Sequence, residues 1–514
     1  MITINNSTGT PLRKPWKRGI AVGRAYELLR TDTIQHLQYL QREIGYEYCR
    51  FHALFHDDMG VVTRDAEGRL HFRWHHIDKV YDALLQLGMR PFVELNPMPA
   101  ALASGSQKMF FYGMNVTPPA SYEEWGELVE SFARHCVERY GLEEVRRWYF
   151  EVWNEPNLSG FWSGTQDEYW QLYEASARAL KRVDSQLPVG GPASSKAHWI
   201  QDIINHCTRR EIPLDFVSTH LYPQDEYVEW TDRQGSPHEA GEFFSDTIRS
   251  VQEIVASSAR PDLEIHWTEW NTQSATSTEG VTWGDNIYVD SQFAASFVAR
   301  HCTALDEACD SLMWWVASDI FEEGGIPHAP FSCTYGMLTI HGIPKASFQA
   351  FALLNRLRGE RCEVQQEEQL LPGYGIVATR EGDVFHCLLW NHPPLEQSEK
   401  PIWRDRVRCA TSAQKLVVSS ATIGAGHGSA WETWCAMGRP QHLSRAQETA
   451  LRAHAEPRWQ IELLGSQEGS AEIPFKIGAY EVLYLELRPV EAAAVAEVSA
   501  EFALWNQAMG EKSR

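Results

Sequence analysis

Two glutamates stand where a buried strand gives way to a polar loop, a position from which a side chain can act as acid or nucleophile. The first lies in FEVWNEPNL, Phe150 to Leu158. Phe150, Val152 and Trp153 suit a strand buried on both faces, and Pro156 has no N–H for a ladder, so Asn154 and Glu155 fall at the strand's end. The second lies in IHWTEWNT, Ile265 to Thr272, where apolar and β-branched residues lead to Glu269 and then to a polar stretch. The glutamates are 114 positions apart, which is three strand-plus-helix units of about 38 residues each. Taken singly, each reads as a solvated or ion-paired loop residue. The shared placement and the spacing point instead to a two-carboxylate site.

A glycosidic bond needs a proton on its leaving oxygen and an electron pair at its anomeric carbon, and one carboxylic acid plus one carboxylate supply both. Asn154, beside the first glutamate, is placed to hold a sugar hydroxyl. Other strand ends are polar too. RFHALFHDD gives His52, His56, Asp57 and Asp58; STHLYP gives His220 and Tyr222; WWVASDIFEEGG gives Trp315, Glu322 and Glu323. A ring of His, Asn, Glu and aromatic side chains suits a neutral polyol better than a metal. His52 and His56 with Asp57 offer the metal alternative, but no further ligand at recognised spacing accompanies them. Neither metal nor cofactor is expected, and each histidine reads equally well as a structural hydrogen-bonding residue. There is no GxSxG elbow and no phosphate loop, and GAGHGS, Gly424 to Ser429, lacks the third dinucleotide-binding glycine.

Strand-like and helix-like segments alternate from about residue 19 to 340. The strands read as Gly19 to Val22, Tyr48 to His52, Pro91 to Leu95, Tyr149 to Asn154, Leu187 to Gly190, Phe216 to His220, Glu264 to Glu269 and Ser311 to Trp315. Between them, His75 to Gly88 places Ile77, Val80, Tyr81, Leu84 and Leu85 at helical spacing with a glycine stop. Ser121 with Glu124, and Thr165 with Glu168, read as capping boxes. Eight such repeats predict an α/β fold, a (β/α)₈ TIM barrel over residues 16–345. After one more helix, Ser347 to Arg358, the pattern becomes short alternating runs such as VFHCLLW and EVLYLELRP, an accessory antiparallel β-sandwich reaching to residue 490. Residues 491–514, acidic and alanine-rich, read as a helix or a loose tail.

The net charge of −22 opposes binding to nucleic acid or anionic lipid. Ten cysteines without a CxxC pair read as isolated core thiols, which suits a reducing compartment. Residues 1–19 carry Arg13, Lys14, Lys17 and Arg18 with no apolar run behind them, and no stretch approaches a membrane span. The expectation is a cytoplasmic protein acting on a small carbohydrate. Most of its 20 tryptophans read as core, with some as platforms for a sugar face.

From about residue 16 to 355 the chain resembles the family 39 glycoside hydrolases, typified by bacterial β-xylosidases, in HDDMGV, RPFVELNPMPAALASG, NVTPPASYEEW, FEVWNEPNLSGFW, VGGPA, DFVSTHLYP, TEWNT, SDIFEE and GIPKASFQAF. The resemblance implies retention of configuration through a covalent glycosyl-enzyme. It casts Glu155 as acid/base, Glu269 as nucleophile, and Asn154, His52, His220, Trp315, Glu322 and Glu323 as sugar-binding. It also implies that residues 1–15 join the β-sandwich. The chain departs from the family at Ser274, where a tyrosine is common, at Cys333-Thr334-Tyr335-Gly336 in place of Gly-Gly-Phe-Gly, and at Asn96 to Pro99.

The expectation is therefore a retaining exo-glycosidase acting on β-linked xylosides or short xylo-oligosaccharides. Arabinosidase or glucosidase activity is the near alternative, and a carbohydrate-binding protein without catalysis the distant one. An iduronidase needs a cationic clamp for its substrate's carboxylate, and residues 218–223, 264–275 and 314–331 contain no Lys or Arg.

Overall fold

The structure is a computed structural model that describes residues 1–223, 225, 243–273, 288–394 and 400–490, with the side chains of residues 6–8 left aside. Eight strands close into a parallel barrel: β1 (Gly19–Arg24), β2 (Tyr48–His52), β3 (Arg90–Leu95), β4 (Tyr149–Val152), β5 (Val189–Ser194), β6 (Phe216–Leu221), β7 (Glu264–Trp270) and β8 (Ser311–Trp314). Each strand is almost wholly buried, as a sheet closed on itself and wrapped by helices requires. The α/β-barrel reading is borne out. Most strand ends moved by one or two residues, and β5 moved furthest: read as Leu187 to Gly190, it runs from Val189 through Gly191 and Pro192 to Ser194. A Cβ on Gly190 would lie 2.3 Å from the Phe216 carbonyl oxygen, so the glycine permits close strand approach and does not end the strand.

The surrounding helices follow their sequence signals. The Thr165 and Glu168 side chains cap reciprocally the helix Gln166–Val183, while Ser121 accepts from the Glu124 N–H at the start of Tyr122–Tyr140. None of the ten cysteines forms a disulfide, and nine of them are buried. No helix among the described residues is long and apolar enough to cross a membrane.

The accessory part is a nine-stranded sheet in the order Arg458–Gly465, Lys415–Ile423, Val482–Val490, Val384–Asn391, Tyr374–Glu381, Glu360–Gln366, Ile2–Pro11, Trp403–Ala410, Ser470–Ile477. Trp403 and Phe475 from one end share a buried cluster with Leu416, Val418 and Leu485 from the other, so the sheet curls into a sandwich. One pairing is parallel, that of Ile2–Pro11 with Trp403–Ala410; the rest are antiparallel. Residues 491–514 lie outside the described residues.

Inside the barrel the side chains stack in layers. At the amino-terminal end Tyr48, Phe92, Tyr149, Phe216 and Met313 form an apolar plug, with Phe92 stacked on Tyr149 at 5.0 Å. Two residues further along each strand the inward positions turn charged: Arg50 after Tyr48, Glu94 after Phe92, Glu151 after Tyr149. This charged layer is the floor on which the site is built.

Candidate active site

Period-two alternation on β2 sends Tyr48, Arg50 and His52 inward in turn. Arg50 is fully buried, and its guanidinium meets four partners. Nε donates to Glu151 at 2.6 Å, Nη1 to Glu269 at 2.8 Å and Nη2 to Asn154 Oδ1 at 2.8 Å, and Nη2 is ion-paired with Glu94 at 2.7 Å. Burial alone would depress its pKa, but the charges of Glu151, Glu94 and Glu269 raise it above the ordinary value. One planar guanidinium thus fixes two of the expected site residues, Asn154 and Glu269, at once.

Glu155 reaches the site through a sharp turn. Beyond Val152 the chain takes φ of 71° at Trp153 and 44° at Glu155, left-handed values that cost a non-glycine residue about 1 kcal/mol or more each. The Glu155 N–H donates to the Ala193 carbonyl at 2.8 Å, and the Trp153 indole N–H to the Phe161 carbonyl at 2.8 Å, which hold the turn. Glu269 arrives differently. Between β6 and β7 the register shifts, with Thr219 opposite Trp267 and then His220 opposite Glu269. The irregularity lets the consecutive residues Thr268 and Glu269 both face the barrel interior.

The two glutamates and His220 converge: one carboxylate oxygen from each and one ring nitrogen all lie within 4.8 Å of one another. Glu269 takes Arg50 on Oε1 and the Tyr222 hydroxyl on Oε2 at 3.0 Å. Glu155 meets His220 Nδ1 at 3.0 Å. Burial pushes the Glu155 carboxyl up to about 7, against the lowering influence of His52, Ser195, Arg50 and Lys196. Three such ligand atoms are also close enough to grip a cation. A cation there would sit beside the Arg50 guanidinium and suffer its repulsion.

The two histidines divide by environment. Burial would depress His52, but Glu94, 2.9 Å from Nδ1, and the bond to Glu323 raise it to about 10. Burial depresses His220 to about 4, with too little opposing negative charge to recover it. Near neutrality His52 is a cation and His220 a neutral imidazole.

These groups line a cavity of about 440 Å³. Of the expected residues, Glu155, Glu269, His52, Asn154, Tyr222, Trp315 and Glu323 line it, and His220 stands behind Glu155. Glu322 does not. Its carboxylate takes Nε and Nη2 of Arg24 at 3.0 and 2.7 Å, and Arg30 lies 3.6 Å away. The expectation that Glu322 holds the sugar is corrected accordingly, since β1 ends in an arginine whose fork captures that carboxylate. The alternative His56 and Asp57 cluster is also structural: Asp58 takes His56 and Arg24, and Asp57 accepts the Ala100 N–H.

The cavity wall holds residues the sequence reading passed over, among them Phe110, Leu158, Phe161, Ser195, Lys196 and Tyr335. Tyr335 sits in the segment that departs from Gly-Gly-Phe-Gly, with Cys333 at φ 55°. Buried Lys345 anchors this loop: it pairs with Asp290 at 2.5 Å and Asp319 at 2.7 Å and donates to the Thr334 carbonyl at 2.8 Å. Asp290 and Asp319 in turn accept the N–H groups of Cys333 and Gly336. Asn96, in the other departing segment, accepts the Ala53 N–H at 2.7 Å and so braces the turn after His52. Ser274 lies outside the described residues.

Comparison with known proteins agrees with this geometry. The sequence profile of the glycosyl hydrolases family 39 matches residues 1–471. A β-xylosidase from Caldicellulosiruptor saccharolyticus is 36% identical over 85% of this chain and 87% of its own length. One from Geobacillus stearothermophilus is 33% identical over 95% and 96%. A crystal structure of a monomeric β-xylosidase from Caulobacter crescentus CB15 superposes with a TM-score of 0.84 at 28% identity, covering 95% of this chain and 99% of that one.

Proposed function

This chain belongs to the family 39 glycosyl hydrolases, and from that premise we propose that it is a retaining β-xylosidase in which Glu155 is the acid/base and Glu269 the nucleophile. The observation that carries the reading is the close approach of those two carboxyl groups across one cavity. Retaining enzymes hold them about 5 to 5.5 Å apart, whereas inverting enzymes need about 6.5 to 9.5 Å to admit a water. In the first step Glu269 attacks the anomeric carbon while Glu155 protonates the departing glycosidic oxygen, and the C–O bond breaks to leave a glycosyl ester on Glu269. In the second, Glu155 takes a proton from water as the water oxygen attacks the same carbon. The ester bond breaks and both carboxyl groups return to their starting states.

Each neighbour has a part. Arg50 and the Tyr222 hydroxyl hold the two Glu269 oxygens, so the nucleophile meets the sugar without reorganising. Asn154, braced by Arg50, is positioned for a sugar hydroxyl, and cationic His52 with Glu323 offers a donor and an acceptor on the far wall. Trp315, 4.5 Å from His52 ring to ring, closes the deep end.

Because only protonated Glu155 can donate, kcat/KM is expected to fall as pH rises past about 7, the value to which burial lifts that carboxyl. Glu155→Gln is expected to spare aryl xylosides with acidic leaving groups while losing roughly 10²- to 10⁴-fold on xylobiose. Steady-state kinetics on both substrates tests the assignment, and equal losses would refute it.

Sugar choice follows from the deep wall. Buried Trp315 narrows the cavity wall, and a hydroxymethyl group brought against it must shed water without a partner, so a pentose fits better than a hexose. The nitrophenyl xyloside is expected to exceed the glucoside in kcat/KM by at least roughly tenfold, about 1.4 kcal/mol. Parity between the two, with the same leaving group, would overturn the xyloside assignment and favour a broader glycosidase.

A further inference from the structure

Behind Glu155 runs a chain of three buried hydrogen bonds whose polarity can be deduced from the donors and acceptors alone. Glu151 is ion-paired to Arg50 at 2.6 Å and so can only accept. The Thr268 hydroxyl lies 2.9 Å from the other Glu151 oxygen and must give its proton there. Its oxygen is then free to accept, and His220 Nε2 sits 3.1 Å away. Nε2 therefore carries the hydrogen of the neutral ring. Nδ1 is left with a lone pair, aimed at Glu155 Oε1 from 3.0 Å.

We propose that Thr268 is a positioning residue for the reaction: by giving its proton to Glu151 and accepting from Nε2–H, it fixes the His220 tautomer that turns a lone pair toward Glu155. The inference rests on the acid/base reading of Glu155. A lone pair at that distance is satisfied by a protonated Glu155 and opposes a carboxylate. In the first half of the reaction it holds the proton on the acid until the glycosidic oxygen takes it. In the second half it makes the Glu155 carboxylate a stronger base toward water. No proton crosses the imidazole in either half, so the ring is a fixed polarity element and not a relay.

The surrounding charges do not already dictate this outcome. His220 faces Glu155 from the turn after β4 and Glu269 at 3.6 Å from β7, with Arg50 and His52 of β2 and Glu151 of β4 in its field. Glu155 in turn feels His52, Arg50 and Lys196, all of which favour its ionised form. A device that favours the protonated form works against those cations, and the imposed tautomer is one.

Replacing Thr268 with valine keeps the volume and removes both hydrogen-bonding roles. The ring is then free to present Nδ1–H to a Glu155 carboxylate. The basic limb of kcat/KM is expected to move down by about one pH unit, a roughly tenfold loss above that limb, while KM at acidic pH changes little. Thr268→Ser, which keeps the hydroxyl, is expected to restore the wild-type profile. A loss in Thr268→Val that is uniform across pH, or a serine variant no better than valine, would overturn the proposal. The ring is also read without turnover: ¹⁵N shifts of His220, assigned through His220→Gln, are expected to show the Nε2–H tautomer in the wild type and its loss in Thr268→Val. The Nδ1–H tautomer in the wild type would sink this inference while leaving the xylosidase reading intact. Absence of xyloside turnover with the Nε2–H tautomer present would sink the activity and leave the tautomer lock standing.

Discussion

Glu269→Ala is expected to lower kcat on aryl xylosides by on the order of 10⁴-fold or more, because it removes the carboxylate on which the covalent intermediate forms. The fold should survive. Arg50 keeps Glu151, Glu94 and Asn154 when Glu269 is truncated, so the charged layer retains its cation. Added azide enters the vacated space from the nucleophile's side, and any product it restores should have inverted configuration at the anomeric carbon. Proton NMR of the product distinguishes the two anomers. A retained product in azide would mean that another residue is the nucleophile.

Arg50→Met is expected to be nearly as damaging and by a different route. It leaves Glu94, Glu151 and Glu269 buried with one cation fewer among them, and breaking such a network costs about 3 to 5 kcal/mol of stability. Asn154 and Glu269 also lose their common brace, and a misplacement of about 1 Å in a reacting group costs on the order of 10²-fold in rate. Thermal unfolding and kcat/KM, measured on the same preparation, should fall together. Arg50→Lys restores the charge but not the planar fork, so it should recover stability better than rate. A lysine variant with wild-type kcat/KM would show that charge alone suffices.

Much of this site was legible in the sequence because it lies at strand ends. Glu155 and Glu269 each follow a run of apolar and β-branched residues, and a separation of three whole repeat units places both at the same rim of the barrel. The same logic located His52, Asn154, His220, Tyr222, Trp315 and Glu323. It misplaced Glu322, since adjacency to Glu323 says nothing of which carboxylate an arginine on another strand will capture, and Arg24 lies 298 positions away in the chain. The charged floor was missed although a signal was present. Arg50, Glu94 and Glu151 are charges in the middle of otherwise buried strands, where a lone charge would cost several kcal/mol. Opposite charges at the same depth of neighbouring strands therefore had to be partners. The irregularity between β6 and β7 that turns both Thr268 and Glu269 inward leaves no trace in sequence periodicity. The strand read as ending at Gly190 continues to Ser194, since glycine there serves close strand approach.

The strand Ile2–Pro11 has a consequence for how the chain acquires its structure during synthesis. It joins the pair Trp403–Ala410 and Ser470–Ile477 to the other six strands of the sheet, and nothing else in the strand order links them. That strand is thus made roughly 350 to 400 residues before the two strands it pairs with. At about 5 to 20 residues per second, the roughly 400 residues between Ile2–Pro11 and its parallel partner take about 20 to 80 s to emerge. For most of that time, until Glu360–Gln366 is made, Ile2 and Ile4, which end in the sandwich core, wait for a mate, while the eight barrel strands between can close around their own plug. The barrel is therefore free to fold as the chain emerges, and the sheet can be completed only once Val482–Val490 has been made. A bulky fusion that occludes the amino-terminal strand would act on that last event, slowing the maturation of the sandwich without touching a residue of the catalytic cavity.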